Sequence, residues 1–155
     1  MVLMAPVAAE DIAVVTREVT TYGELIEALN PPGITDIIIP LSHHVFVFHE
    51  FVFIGGGVTL TVQGDFFTLS TIYNEGTIEN CWIDNHGVLY NYETITNQDT
   101  IDNSGRINNE YLITNLGMIN NYEYGIIDVG STIEGNAAFN VCRVIFILRL
   151  ISFIC

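Results

Sequence analysis

The apolar positions of this chain fall into a short, fixed step. After Ile72 and Ile78, an aliphatic residue recurs at every sixth position: Ile83, Leu89, Ile95, Ile101, Ile107, Ile113 and Ile119. An asparagine follows each of them two positions later, at Asn74, Asn80, Asn85, Asn91, Asn97, Asn103, Asn109, Asn115 and Asn121. One residue is missing from the step at Cys81-Trp82, which shifts its phase. Within the hexads, odd positions from Ile83 carry Ile, Asn and Gly, whereas even positions carry Asp84, His86, Tyr90, Tyr92, Thr94, Thr96, Gln98 and Asp102. An alternation of two nested in a repeat of six predicts short strands joined by tight corners. Helix is excluded, because an Asn in every hexad and a Gly in several would destroy it. A hexad cannot bury its own isoleucine and must stack on neighbours about 4.8 Å away. The pattern therefore predicts an all-β, single-stranded parallel β-helix. Its isoleucines stack inside, and its asparagine amides form hydrogen-bonded ladders from coil to coil.

The step alone leaves the coil length open. Twelve residues per coil would place Asp84, Thr96, Asn108 and Asn120 in one outward column. Eighteen would set Asp84 beside Asp102, and like charges on adjacent strands are unfavourable, which argues mildly for the shorter coil.

The flanks read differently. Residues 1–9 are apolar and end in Val7-x-Ala9, like the remnant of a secretory signal that lacks its basic start. Residues 10–33 form an N-terminal cap: a β-branched run at 10–20, then a helix at 21–30. Thr21 and Glu24 have capping-box spacing there, Leu25, Ile26, Ala28 and Leu29 supply an apolar face, and Asn30-Pro31-Pro32-Gly33 ends it. A solenoid must cover the apolar end of its first coil, and this helix suits that task. Residues 34–71 read as irregular first coils, with Phe46, Phe48, Phe51 and Phe53 filling a wider interior. Residues 72–136 are the hexad solenoid, loosening from 125 into a last coil. The tail, 137–155, is apolar and interrupted by Arg143 and Arg149; a terminal strand, a membrane-associated end and a truncated reading frame all fit it.

Composition narrows the partners. Acidic residues number 18 against four arginines, with no lysine and a net charge of −14. Such a surface repels phosphate backbones, so no nucleic-acid partner is expected. With the apolar N-terminus it suggests a secreted or cell-surface protein. Cys81, Cys142 and Cys155 are widely spaced and uninformative.

The units Asn103-Ser-Gly-Arg-Ile-Asn-Asn109 and Asn115-Leu-Gly-Met-Ile-Asn-Asn121 resemble repeats of microbial adhesin-type β-helix surface proteins. The entry from Leu25 to Gly64, a helix followed by Ile37-Ile38-Ile39 and Val58-Thr-Leu-Thr-Val-Gln-Gly64, resembles the start of pectin-lyase-like parallel β-helices. The resemblance implies a right-handed solenoid. It does not choose an activity, since such folds serve adhesins, spikes and polysaccharide enzymes alike.

Candidate chemistry is sparse. His43, His44, His49 and Glu50 are the best metal-like group, but same-face partners lie about 20 Å apart on an extended strand. His86 reads as alone in an outward column. Asp84, Glu93, Asp99, Asp102, Glu110 and Glu123 could supply a carboxylate pair for glycoside hydrolysis, although spaced acids also simply keep a repeat soluble. Histidine aside, Arg106 is the only basic residue in 72–136, a poor supply for lyase chemistry. No cofactor or metal is expected. Tyr90, Tyr92, Tyr122 and Tyr124 are the candidate ligand-contact surface, for glycans or other cell-surface components. Ice binding is disfavoured because the outward columns mix residue types instead of repeating Thr. Self-association, end to end or through an edge, and membrane contact of the tail stay open. The expected function is a non-catalytic structural or adhesive module, a rigid spacer or binding surface. The alternative is a polysaccharide-acting hydrolase or lyase.

Overall fold

The computed structural model describes residues 14–30, 33–48, 51–135 and 138–141. The apolar start at 1–9, His49-Glu50 and the tail from 142 lie outside the described residues. The protein is a parallel β-solenoid with one short helix. The chain enters through β1 (Thr16–Glu18) and α1 (Tyr22–Leu29). The first coil is β2 (Asp36–Ile39), β3 (His44–Val47) and β4 (Val52–Ile54), and the second is β5 (Thr59–Thr68) and β6 (Thr71–Asn74). The third is β7 (Thr77–Asn85) and β8 (Val88–Asn91), the fourth β9 (Thr94–Asn103) and β10 (Arg106–Asn109). The fifth is β11 (Leu112–Asn115), β12 (Met118–Asn121) and β13 (Ile126–Val129); β14 (Thr132–Glu134) and β15 (Ala138–Val141) follow.

Each coil has three sides, one hexad to a side. The first two share a ten-stranded sheet, because in β5, β7 and β9 they run on as one strand. The third side is the five-stranded sheet β13-β10-β8-β6-β4. The coil is eighteen residues, the spacing from Asn85 to Asn103 and from Asn103 to Asn121. This corrects the argument for twelve: Asp84 does lie opposite Asp102. The missing residue at Cys81 shortens one coil to seventeen. A corner absorbs it: Cys81 alone spans the step that Gln63-Gly64 and Gln98-Asp99 make on either side, where the register shifts.

The interior follows the columns. On side one Ile37, Leu60, Ile78, Ile95 and Ile113 stack; on side two Val45, Phe66, Ile83, Ile101 and Ile119; on side three Val52, Ile72, Leu89, Ile107 and Ile127. All are buried. Beside each stack runs a second inward column, apolar in the first coil (Ile39, Val47, Ile54), Val62, Thr68 and Asn74 in the second, and asparagine on all three sides in the third and fourth. Three amide ladders result: Asn80→Asn97→Asn115 at 2.8 and 2.6 Å, Asn85→Asn103→Asn121 at 2.7 Å each, and Asn74→Asn91→Asn109 at 2.8 and 2.7 Å. The second amide hydrogen of each rung goes to a backbone carbonyl at the next corner, as from Asn91 to Leu112 at 3.0 Å. Within the ladders the buried amides are used up pairwise, which makes them compatible with an apolar interior, and only the first oxygens of two ladders, Asn80 Oδ1 and Asn85 Oδ1, have no hydrogen-bond partner.

The phenylalanines overturn one expectation. Phe46, Phe48, Phe51 and Phe53 are 45–65% exposed and lie outside, while Val45, Val47, Val52 and Ile54 fill the first coil. In a run apolar on both faces, size alone misleads; the coil stack sets which face turns inward, and small aliphatics suit its width.

α1 closes the open end. Glu24 N–H donates to Thr21 Oγ1 at 3.3 Å, and the Glu24 carboxylate accepts from Thr20 N–H at 2.7 Å and Thr21 N–H at 3.2 Å. The Thr20 N–H is the main reason the Glu24 carboxyl is held below its ordinary range. Leu25 and Ala28 are buried, and the helix lies against β3 and β4. At several corners, Gly76, Gly87, Gly105 and Gly117, glycine is imposed by neighbouring backbone. A Cβ on Gly105 would sit 2.1 Å from the Gly87 carbonyl oxygen, so the coils approach only as far as glycine permits.

Candidate functional site

Since the interior repeats, anything specific must be outside. Two outward columns change character along the axis. On side two the register runs Phe46, Phe67, Asp84, Asp102, Asn120, Asn140. On side three it runs Phe53, Tyr73, Tyr90, Asn108, Asp128. Both begin aromatic and end polar. The corner between the two sides carries Leu69, His86, Ser104 and Tyr122 in successive coils.

At the aromatic end, Phe46 and Phe48 stack coplanar at 5.7 Å, with Phe67 tilted against both at 5.6 and 6.3 Å. On side three Phe51 meets Tyr73 edge-on at 6.1 Å, Tyr73 stacks on Tyr90 at 5.2 Å, and Tyr90 on Tyr92 at 6.2 Å. Phe46 and Phe48, and Tyr73, Tyr90 and Tyr92 in turn, thus spend their ring faces on one another.

The polar centre is built on β7, β9 and β12. His86 Nε2 lies 3.0 Å from Asp84 Oδ1, and the His86 ring packs on Phe67 at 5.1 Å. Asn120 Nδ2 donates to Asp102 Oδ1 at 2.8 Å, and Tyr122 O–H donates to the same oxygen at 3.2 Å. Partial burial raises the Asp84 carboxyl above its ordinary range, His86 opposes the rise, and the charge of Asp102 adds to it. The Asp102 charge likewise pushes the Tyr122 phenol up. The repulsion feared for an eighteen-residue coil is therefore real, and these partners offset it: histidine for one acid, an amide and a phenol for the other. The reading of His86 as alone is corrected.

The four tyrosines expected to form one contact surface divide into two pairs. Tyr90 belongs to the side-three stack, with Tyr92 at the corner beyond it. Tyr122 and Tyr124 sit two coils further on at the corner between sides two and three, Tyr124 being 83% exposed. Glu75, Tyr92 and Glu110 share the corner between sides three and one. His43 lies in a turn with Ser42 Oγ 3.1 Å from its Nδ1, and His44 pairs with Asp65 at 2.5 Å. Among the described residues no group of three or more His, Cys, Asp or Glu is placed to hold a metal, and no helix is long and apolar enough to cross a membrane.

Side one carries a regularity hidden by the sixfold step. Thr59, Thr77 and Thr94 share one outward column, and Thr61, Thr96 and Thr114 the other. Leu112, Glu79 and Glu134 interrupt them. Threonine thus recurs on this side, while the outward columns of the other two sides mix residue types.

No protein-family profile matches this chain, and neither does a curated protein or a solved structure.

Proposed function

We propose that the chain is a non-catalytic module of a secreted or cell-surface protein, a rigid spacer that carries a binding face on its first coils. The observation that supports this is the contrast between inside and outside. From the third coil on, the inward columns repeat an aliphatic residue and Asn, while the outward columns pass from Phe46, Phe53, Phe67 and Tyr73 to Asp102, Asn108 and Asn120. An invariant core beneath a graded surface suits a scaffold that positions one patch. Adhesin-type β-helices are the kind of protein this reading places it among. Glycans remain the ligand class for the tyrosines: Tyr90 and Tyr92 would meet a sugar with ring edges and hydroxyls, Tyr124 with a ring face.

One observation favours a second reading, a pectin-lyase-like polysaccharide hydrolase. Asp84 and Asp102 face one another on neighbouring strands, about 4.8 Å apart at the backbone, near the separation used by retaining glycosidases. Their environments also differ, with the Asp84 carboxyl raised. Against it, both acids project from one strand face, side by side, where acid and nucleophile should flank the scissile bond. A glycan array run with a hydrolase and lyase screen tests both. Retention of glycan without turnover is expected; turnover abolished by Asp102→Asn would overturn the module reading.

A further inference from the structure

We infer that the phenylalanine face of the first two coils docks a basic amphipathic segment of another protein. This rests on the reading of the first coils as a binding face and gives its partner a chemistry. Phe46, Phe48, Phe51 and Phe53 are 45–65% exposed, and Leu69 is 51% exposed on the corner between them. Half-exposed rings of this size leave roughly 400–500 Å² of apolar surface spread over the two adjoining sides, the range in which a patch signals a partner.

Three features select the occupant. The first is ring chemistry. Phenylalanine has no hydroxyl to pair with a sugar, and Phe46 and Phe48 turn their faces to each other, so aliphatic side chains wedged between ring edges fit better than a pyranose. The second is size. The patch falls short of the roughly 800 Å² per partner that a stable pair of proteins buries, so two copies joined here would be weakly held. Their net charges of −14 would also repel. The third is the rim. Asp65 lies two residues from Phe67 on the same strand face, Asp84 lies directly opposite Phe67, and Glu75 follows β6 at the end of the side-three row. Asp65 and Asp84 each have a histidine partner, His44 and His86, and the sequence has no lysine or arginine between Arg17 and Arg106 beside them. An apolar centre bordered by carboxylates is complementary to an apolar stripe bordered by lysine or arginine, the pattern of a cationic amphipathic helix.

The test uses the full chain and a designed helical peptide with leucines at i, i+3, i+4 and i+7 and lysines elsewhere. The same peptide with glutamate for lysine is the control, and titration calorimetry is the readout. The lysine peptide should bind, more weakly as salt rises, and the glutamate peptide should not. Phe46→Ser with Phe53→Ser should weaken binding about tenfold or more, whereas Leu116→Ser, an exposed apolar change on a distant corner, should leave it unaltered. Asp84→Asn should lower affinity without touching the apolar centre, which guards against a phenylalanine variant that folds poorly. Equal binding by the double variant and Leu116→Ser would overturn the proposal, as would equal binding of both peptides or none of either. Sedimentation showing a dimer abolished by Phe46→Ser would assign the face to self-association instead, and vesicle binding lost in the same variant would assign it to a lipid surface. Either outcome refutes the basic segment while sparing the binding module; polysaccharide turnover refutes the module itself.

Discussion

Replacing Asn91 by leucine probes the ladder where it is best defined. Asn91 is fully buried in the middle of the side-three ladder. Its Oδ1 accepts from Asn74 Nδ2 at 2.8 Å, and its Nδ2 donates to Asn109 Oδ1 at 2.7 Å and to the Leu112 carbonyl at 3.0 Å. Leucine has nearly the same shape and keeps none of these bonds. Asn74 Nδ2 retains the Thr94 carbonyl at 3.1 Å, so that rung is only weakened. Asn109 Oδ1 loses the donor below it. An orphaned buried acceptor costs about 1–3 kcal/mol and two further lost bonds about 1 kcal/mol each. The extra buried carbon surface returns about 1–2 kcal/mol. The net loss is about 1–4 kcal/mol, roughly 2–15 °C in Tm for a domain of this size. Thr96→Leu, an outward change beside a ladder residue, serves as the control and should stay within about 0.5 kcal/mol. Thermal and urea denaturation followed by circular dichroism would measure both. Equal midpoints for the two variants would show that the amide ladder contributes nothing and that the isoleucine stacks alone hold the coils.

Three other outcomes follow from the geometry. Gly105→Ala should cost about 3 kcal/mol or more, because its Cβ meets backbone at 2.1 Å; Gly57→Ala, with φ +81 and nothing within 4 Å, should cost only about 1 kcal/mol of backbone strain, and denaturation midpoints would rank them. Thr68→Asn should stabilise by about 0.5–1.5 kcal/mol. Thr68 lies in register with Asn85, whose buried Oδ1 has no hydrogen-bond partner, and Ser70 N–H already donates to position 68 as Gly76 N–H does to Asn74. A lowered melting point would show that the ladder cannot be extended. Asp84→Asn should raise stability at neutral pH by up to about 1 kcal/mol, the scale of one unfavourable cross-strand pair. The folded-state carboxyl titrates above the unfolded one, so the folded chain holds more protons in between, and wild-type stability falls as pH rises through that window. The variant's stability should lack this fall, and an unchanged pH profile would mean that Asp84 pays no such penalty.

The architecture was legible because its signal is redundant. Ile95 and Asn97 say the same thing as Ile101 and Asn103, and a stack needs every coil to agree. The coil length was not legible, since a step of six divides twelve and eighteen equally well. The like-charge argument then chose wrongly, because Asn120 and Tyr122, the donors that offset the charge of Asp102, are reached only across a coil. The phenylalanines were misplaced for a related reason. Counting six back from Ile72 puts Phe66 inside and Phe67 outside, but the step from Val45 to Phe66 is 21 residues, so the count does not carry on to Phe46. The alternation within 44–54 offered no such anchor. The contact surface was legible residue by residue, as exposed tyrosines, and illegible as a surface: which tyrosines are neighbours depends on the coil length.

These errors share a cause that also bears on function. A solenoid separates two kinds of information. Inward positions are read against their copies in the next coil, so Asn85, Asn103 and Asn121 are constrained together and the repeat advertises them. Outward positions answer only to what approaches from outside, so Phe67, Asp84 and Asp102 can differ on successive rungs without disturbing the stack. A gradient such as that from Phe46 to Asn140 costs the fold little, because each step exchanges one exposed side chain for another. The irregular first coils are then where specificity has room to reside. Asn74 aside, they lack the amide ladder, their core is aliphatic apart from Phe66 and Thr68, and their outward ring Phe67 lies next to Asp84. Variation confined to Phe46, Phe53 and Phe67 should therefore change what the protein binds while leaving its melting behaviour nearly untouched. Asn91 and Gly105 should show the reverse.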